Sequence, residues 1–260
     1  MNEPVQLSGG RVALVTGAAS GIGLAIARSL AEHGVQTILS DIDETRGREV
    51  TSQIANASFV TADLSDPASC RQLAKDAEAI AGRIDVLVNN AGLQHVAPIT
   101  DFAEDRWRQL MEIMLNAPFL LTQKALPGMM ERRWGRIINM GSVHSLRASA
   151  YKSAYVAAKH GLLGLTRVAA IEAAPFGITC NAICPSYVRT PLVEKQIGDQ
   201  ARVHNIPESE VVEKIMAAES PLHRLLEPEE VASSVLFLCS DAAAAITGSA
   251  FTIDGGWTAH

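Results

Sequence analysis

The sequence predicts an α/β fold, a doubly wound parallel sheet with helices on both faces, built by one domain spanning 1–260. Three observations carry this. Seven short β-branched, apolar runs recur along the chain, each bounded by glycine or polar residues, as strands buried on both faces require. The segments between them are long enough for crossover helices, with glycines where those helices must stop. No linker, low-complexity stretch or internal repeat divides the 260 residues.

The first run is RVALVTG (11–17), and GAASGIGLAIA reads as a glycine turn entering a helix. QTILSD (36–41) is the second run, preceded by Gly34, which suits the left-handed residue just past a helix end. ASFVTAD (57–63) is the third, and IDVLVNNAG (84–92) is the fourth, introduced by Gly82 in the same role. GRIINMGS (135–142), GITCNAICP (177–185, after its own Gly177 stop) and SAFTIDGG (249–256) complete the set. Residues 186–226 are the least regular part, rich in Pro, Gly, charge and short helical patches. They follow the sixth strand, and ligands of open α/β sheets bind beyond the carboxyl ends of the strands, so this segment is placed to act as a lid.

Composition narrows the function. With 48% hydrophobic and 19% charged residues, the chain has the makings of a soluble globular protein with a sizeable core. A net charge of −6 and the lack of any Lys/Arg-rich run argue against nucleic acid or an anionic membrane as partner, so an anion would need a local cationic cluster. Cys70, Cys180, Cys184 and Cys239 show no paired CxxC spacing and no clustered histidines, so no metal site is expected and the thiols read as free and buried. The opening MNEPVQLSGG carries an acid and a proline where a signal peptide needs basic residues, and no run is long enough to span a membrane. A cytoplasmic protein is expected.

In the glycine turn, Gly17 permits the bend, Gly21 lets backbone N–H groups approach a pyrophosphate, and Gly23 allows close packing of helix on strand. Asp41 ends the second strand, 18 residues after Gly23. A carboxylate there accepts from ribose hydroxyls and repels a 2′-phosphate, which favours NAD. Arg46 and Arg48 cut the other way but read better as a solvated helix face. Asp63 suits either the adenine edge or a helix cap, and NNAG, ending at Gly92, offers another close backbone approach.

SVHSLRASAYKSAYVAAK (142–159) concentrates proton carriers. Tyr155 and Lys159 are four residues apart and share a helix face. An ammonium about 5 Å from a phenol favours the phenolate by roughly 3 kcal/mol, or about two pKa units, which would bring Tyr155 towards use as a base. Ser142, at the end of the fifth strand, suits donation to the substrate oxygen. Asn116 in MLNAPF suits a link from Lys159 to water through a distorted helix. Tyr151, with no lysine four residues on, is assigned to packing or an oligomer contact.

TGAASGIG, NNAG, Asn116, Ser142, YVAAK and ICPSYVRTP together resemble the ordered motifs of the short-chain dehydrogenase/reductase family over essentially the whole chain. The resemblance implies a single-domain Rossmann-type fold, a homotetramer and a catalytic tetrad of Asn116, Ser142, Tyr155 and Lys159. It implies dinucleotide contacts at Gly17, Ser20, Gly21, Ile22, Gly23, Asp41, Asp63, Leu64, Asn90, Ala91, Gly92, Tyr155, Lys159, Pro185, Val188 and Thr190.

Four groups then await a purpose. On an ideal helix Lys152 projects within about 60° of Tyr155 and Lys159, a geometry that loosens if it falls in the first turn. His144 lies two residues past Ser142, Gln94 follows NNAG, and Gln196 lies in the suspected lid. A second lysine beside the catalytic one costs desolvation and repulsion unless the substrate is an anion. Within the family, NNAGLQHVAPI, TPLVEKQI and DGGWTAH resemble D-3-hydroxybutyrate dehydrogenases. That resemblance implies that Gln94, His144, Lys152 and Gln196 hold a substrate carboxylate, with Ser142 and Tyr155 at the reacting oxygen and Tyr187 and Trp257 at the apolar end. Tyr187 departs from the tryptophan expected there. The expected reaction is interconversion of (R)-3-hydroxybutyrate and acetoacetate with NAD. A relative acting on another secondary alcohol, sugar or 3-oxoacyl thioester is the alternative, and a noncatalytic dinucleotide sensor is a third.

Overall fold

The computed structural model describes Leu7 and residues 10–259. Apart from Leu7 and Gly10, the opening stretch weighed above as a signal peptide lies outside the described residues, as does His260. All seven predicted runs become strands: β1 (Val12–Thr16), β2 (Gln36–Asp41), β3 (Ala57–Thr61), β4 (Val86–Asn89), β5 (Gly135–Met140), β6 (Ile178–Pro185) and β7 (Ala250–Ile253). They form one sheet in the order β3-β2-β1-β4-β5-β6-β7, every neighbouring pair parallel.

Strand side chains alternate between faces, and both faces are covered. Ala13, Val15, Val86 and Val88 pack with Ile26 and Leu30 of α1 (Gly21–Glu32) and Val231 and Val235 of α9 (Pro228–Cys239). Val12, Leu14 and Leu87 pack on the other side with Leu73 of α3 (Pro67–Ala81), Leu121 and Met129 of α5 (Ala117–Arg132) and Ala170 of α6 (Ser153–Ala173). The remaining helices are α2 (Glu44–Thr51), α4 (Glu104–Met111), α7 (Pro191–His204) and α8 (Glu208–Val211). Gly34, Gly82 and Gly177 adopt positive φ of 83°, 75° and 73°, so the predicted stops are left-handed. No helix among the described residues is long and apolar enough to cross a membrane.

The strand order reverses between β1 and β4, which opens a crevice at their carboxyl ends. Thr16 stitches that crevice: its hydroxyl accepts from the backbone N–H of Asn90 at 3.0 Å and of Ala91 at 3.1 Å. Between α4 and α5 the backbone widens into a π-helical turn over Glu112–Asn116, the distortion expected at Asn116.

Residues 186–226 are more regular than their composition suggests. Instead of short patches, α7 runs for 14 residues, capped by the Thr190 hydroxyl accepting from Val193 N–H. Val193, Ile197 and Ala201 repeat at four-residue spacing and join Val211, Met216 and Leu225 in a small core of their own. The segment's two ends are held together by Leu226 N–H donating to the Tyr187 carbonyl at 2.9 Å and Arg189 N–H to the Leu226 carbonyl at 2.8 Å.

At the opposite end of the sheet, Asp85 is completely buried and accepts from Arg83 Nε at 2.6 Å, Arg132 Nε at 3.2 Å and Val12 N–H at 3.0 Å. Asp85→Ala strands two guanidinium groups and a strand N–H, so urea denaturation should show a loss of about 3–5 kcal/mol. A loss below about 1 kcal/mol would mean that the cluster is surface decoration.

Candidate active site

Beyond the carboxyl ends of β1, β4, β5 and β6 lies a cleft of ≈ 410 Å³, walled on one side by residues 185–196. Its far half is shaped for a dinucleotide. Gly17 and Gly21 have φ of +63° and +53°, and a Cβ at Gly17 would stand 2.8 Å from Ala91 Cα. A Cβ at Gly23 would stand 2.2 Å from the Gly17 carbonyl oxygen, so that glycine sets helix-to-turn packing and does not itself line the cleft. The N-terminal N–H groups of α1 face this turn, and Ser20 leaves them without a side-chain cap. These features fit a pyrophosphate.

Asp41 is fixed at the end of β2 by Ala19 N–H on Oδ2 at 3.0 Å and Asp43 N–H on Oδ1 at 3.1 Å. Arg46 and Arg48 are tied to Glu49 and Glu44 on the exposed face of α2 and do not line the cleft. Asp63 closes its own turn by accepting from Ser65 N–H at 2.9 Å, while Asp66 caps α3, so the helix-cap reading of Asp63 is corrected by three residues. Asn90 Nδ2 donates to the carbonyls of Thr16 and Gly17, so it holds the glycine turn in shape.

The near half holds the proton carriers. Tyr155 lies in the first turns of α6 against Met114 and Ala154, with its ring partly open to the cleft. Lys159 Nζ is 5.5 Å from the Tyr155 ring centroid and donates to the Met140 carbonyl at the end of β5. Among the protein's own groups burial pushes Tyr155 up to about 12, and the adjacent Ser142 hydroxyl pulls it down. Burial also lowers Lys159 to about 8.

Next to these groups stands Lys152. It is only 3% exposed, and among the described residues no carboxylate pairs with it. Its Nζ donates to Tyr187 Oη at 2.5 Å and meets His144 Nε2 at 3.3 Å. Burial lowers Lys152 to about 8, and burial followed by the Lys152 charge lowers His144 to about 3, so the imidazole is neutral and accepts from the amine. Lys152 is the N-cap of α6, with φ −124° and ψ 36°, so the ideal-helix geometry does not hold for it and the looser start of the helix does; the chain turns at Tyr151, φ +68°, and Lys152 enters the same cleft as Tyr155 and Lys159. Tyr151 instead meets His204 edge-on at 5.8 Å, a packing contact. Gln94 lines the cleft with its Oε1 engaged by His95 N–H, and Gln196 lines it from α7.

The cleft thus gathers Gly17, Ser20, Gly21, Ile22, Asp41, Asp63, Leu64, Asn90, Ala91, Gly92, Gln94, Ser142, His144, Lys152, Tyr155, Lys159, Pro185, Tyr187, Val188, Thr190 and Gln196. Three predicted contacts fall elsewhere, Gly23 among them, since it sets the packing of the turn. Asn116 spends its amide on Glu112 Oε1 at 2.8 Å and has no hydrogen bond to Lys159 among the described residues. Trp257 stands behind the wall, stacked on Tyr187 at 5.9 Å and edge-on to His144 at 6.0 Å. Sequence reasoning missed Thr16 and the Met140 carbonyl, which act through backbone proximity and leave no local signal. It also missed Ser145, whose hydroxyl accepts from Ser142 N–H at 3.2 Å; its signal was the three-residue spacing of a reciprocal serine cap.

The family model described as Enoyl-(Acyl carrier protein) reductase matches residues 17–258. The chain is 45% identical over 258 residues to a D-beta-hydroxybutyrate dehydrogenase of Rhizobium meliloti (strain 1021), covering 96% of this chain and 99% of that one. It is 43% identical over 257 residues to another from Cupriavidus necator, with 96% and 99% covered. A crystal structure of a variant actinorhodin polyketide ketoreductase with NADPH superposes with a TM-score of 0.92 at 32% identity, covering 99% of this chain and all of that one.

Proposed function

The chain belongs to the short-chain dehydrogenase/reductase family, and on that premise we propose that it interconverts (R)-3-hydroxybutyrate and acetoacetate with NAD. The family assignment makes it an oxidoreductase with a nicotinamide dinucleotide cofactor and a small-molecule substrate. The carrying observation for the acid is Lys152, a buried cation without a carboxylate partner among the described residues, opening on the same cleft as Tyr155 and Ser142. Burying such a charge is costly unless a ligand supplies its counter-ion.

The Gly17–Gly23 turn, the start of α1 and Asp41 would hold the dinucleotide, and Pro185, Val188 and Thr190 would flank its nicotinamide. When bound, that cofactor supplies the acceptor for the hydrogen and electron pair leaving the substrate carbon. The Tyr155 phenolate takes the hydroxyl proton, and Ser142 donates to the same oxygen to fix its position. Lys159 stabilises the phenolate, while its bond to Met140 ties it to the end of β5. Lys152, His144, Gln94 and Gln196 anchor the carboxylate. Asn116 serves the tetrad by shaping the π turn and through its carbonyl, since its amide is engaged with Glu112.

Asp41 supports NAD, because a 2′-phosphate would meet a carboxylate already fixed by two N–H donors. The flap at 186–226 closes over substrate, its hinge the paired backbone at Tyr187–Arg189 and Leu226. Phe119, Val168 and Ile171 of α5 and α6 are 46%, 53% and 76% exposed, which supports burial between subunits of a homotetramer.

An absorbance assay of dinucleotide reduction tests the reading. With a panel of hydroxy acids, neutral secondary alcohols and sugars, and a 3-oxoacyl thioester for the reverse direction, turnover should be fastest on (R)-3-hydroxybutyrate and favour NAD over NADP at least tenfold. Fastest turnover on a neutral alcohol or the thioester rejects the acid, and equal use of both dinucleotides rejects the role of Asp41.

A further inference from the structure

Lys152 has three N–H bonds. One goes to Tyr187 Oη and one faces His144 Nε2, leaving the third to the cleft. An ammonium only donates, so the Tyr187 oxygen must accept in this pair, and its own O–H needs an acceptor elsewhere. Among the described residues it has none: the phenol makes no second hydrogen bond, its ring stacks on Trp257 at 5.9 Å, and Lys152 Nζ lies off the hydroxyl end of the ring. Tyr187 lines the cleft, and burial pushes its pKa upward, so it remains a neutral donor.

We propose that Tyr187 is a specificity-determining residue whose O–H donates to the substrate carboxylate beside the third N–H of Lys152, selecting a free acid over its esters. This rests on the function proposed above and names what distinguishes its substrate. A carboxylate oxygen has lone pairs for both donors and a charge that strengthens each bond. An ester loses the charge and replaces one acceptor oxygen by a poor one, leaving the phenol or the amine unmatched in a buried place. Stacking on Trp257 fixes the phenol's direction, so the hydroxyl is positioned before substrate arrives.

Steady-state oxidation of (R)-3-hydroxybutyrate and of its methyl ester, by the wild type, Tyr187→Phe and Tyr187→Leu, tests this. In both variants the acid-to-ester ratio of kcat/KM should fall about ten- to a hundredfold, through KM for the acid. A merely structural role would lower both substrates together and leave the ratio in place. Wild-type turnover with an undisturbed ratio in both variants overturns the assignment alone. A wild type that oxidises neither compound overturns the substrate reading, and this assignment with it.

Discussion

Tyr155→Phe should lower kcat for oxidation by about a thousandfold while the dinucleotide binds within a few-fold of wild type, as measured by stopped-flow turnover and fluorescence titration. Phenylalanine keeps the ring that packs on Met114 and Ala154, so the fold and cleft persist. What disappears is the oxygen positioned by Ser142 and by the first turn of α6 to take the substrate proton. Burial holds the phenol near 12 among the protein's own groups, which gives the wild type a signed pH dependence. Oxidation should accelerate as pH rises, because the phenolate is the proton acceptor, and reduction should accelerate as pH falls. Tyr155→Phe should flatten both profiles. A variant retaining a tenth of wild-type turnover would reassign the proton to another group.

Lys152→Met is expected to reduce kcat/KM for (R)-3-hydroxybutyrate by about thirtyfold to several thousandfold, since deleting one partner of a buried charge pair costs about 2–5 kcal/mol. The same change removes a 3% exposed cation with no carboxylate partner among the described residues. The melting temperature of the free protein should therefore hold or rise. A loss of activity that tracks a loss of melting temperature would instead make Lys152 structural. The amine's lowered pKa of about 8 sets the pH arm of the test. Below that value Lys152 is protonated and KM for the acid is flat; above it the proton is lost and KM climbs, about tenfold per pH unit until binding pulls the proton back. For the neutral methyl ester KM should show no such climb, which separates Lys152 from Lys159, whose pKa lies in the same range.

The fold was legible because each strand satisfies a local rule. β-Branched runs between glycine stops need both faces covered, and the crossovers that cover them force parallel order. Gly17, Gly21 and Gly23 announced a tight turn because glycine adopts positive φ without steric cost and no side chain fits a 2.2 Å approach to a carbonyl. Tyr155 and Lys159 were legible for a related reason: four-residue spacing inside a regular helix fixes their shared face. Where the chain leaves regular structure, spacing stopped being a guide. The ideal-helix angle does not hold for Lys152, because the left-handed Tyr151 breaks the pattern one residue earlier. Trp257 was assigned to the cleft, yet Tyr187 stands in front of it.

The amino-acid order by itself determined the parallel sheet, the dinucleotide turn and the pairing of phenol with amine, because those depend on dihedral limits and periodicities within a few residues. Only the tertiary structure decided what ionises and what bonds to what. It buried Tyr155 and raised its pKa, turned the Asn116 amide to Glu112, and set the Tyr187 hydroxyl against Lys152. Desolvation and hydrogen-bond partnership are sums over groups far apart in the chain, such as Lys152 and Tyr187, 35 residues apart, and no local pattern carries them.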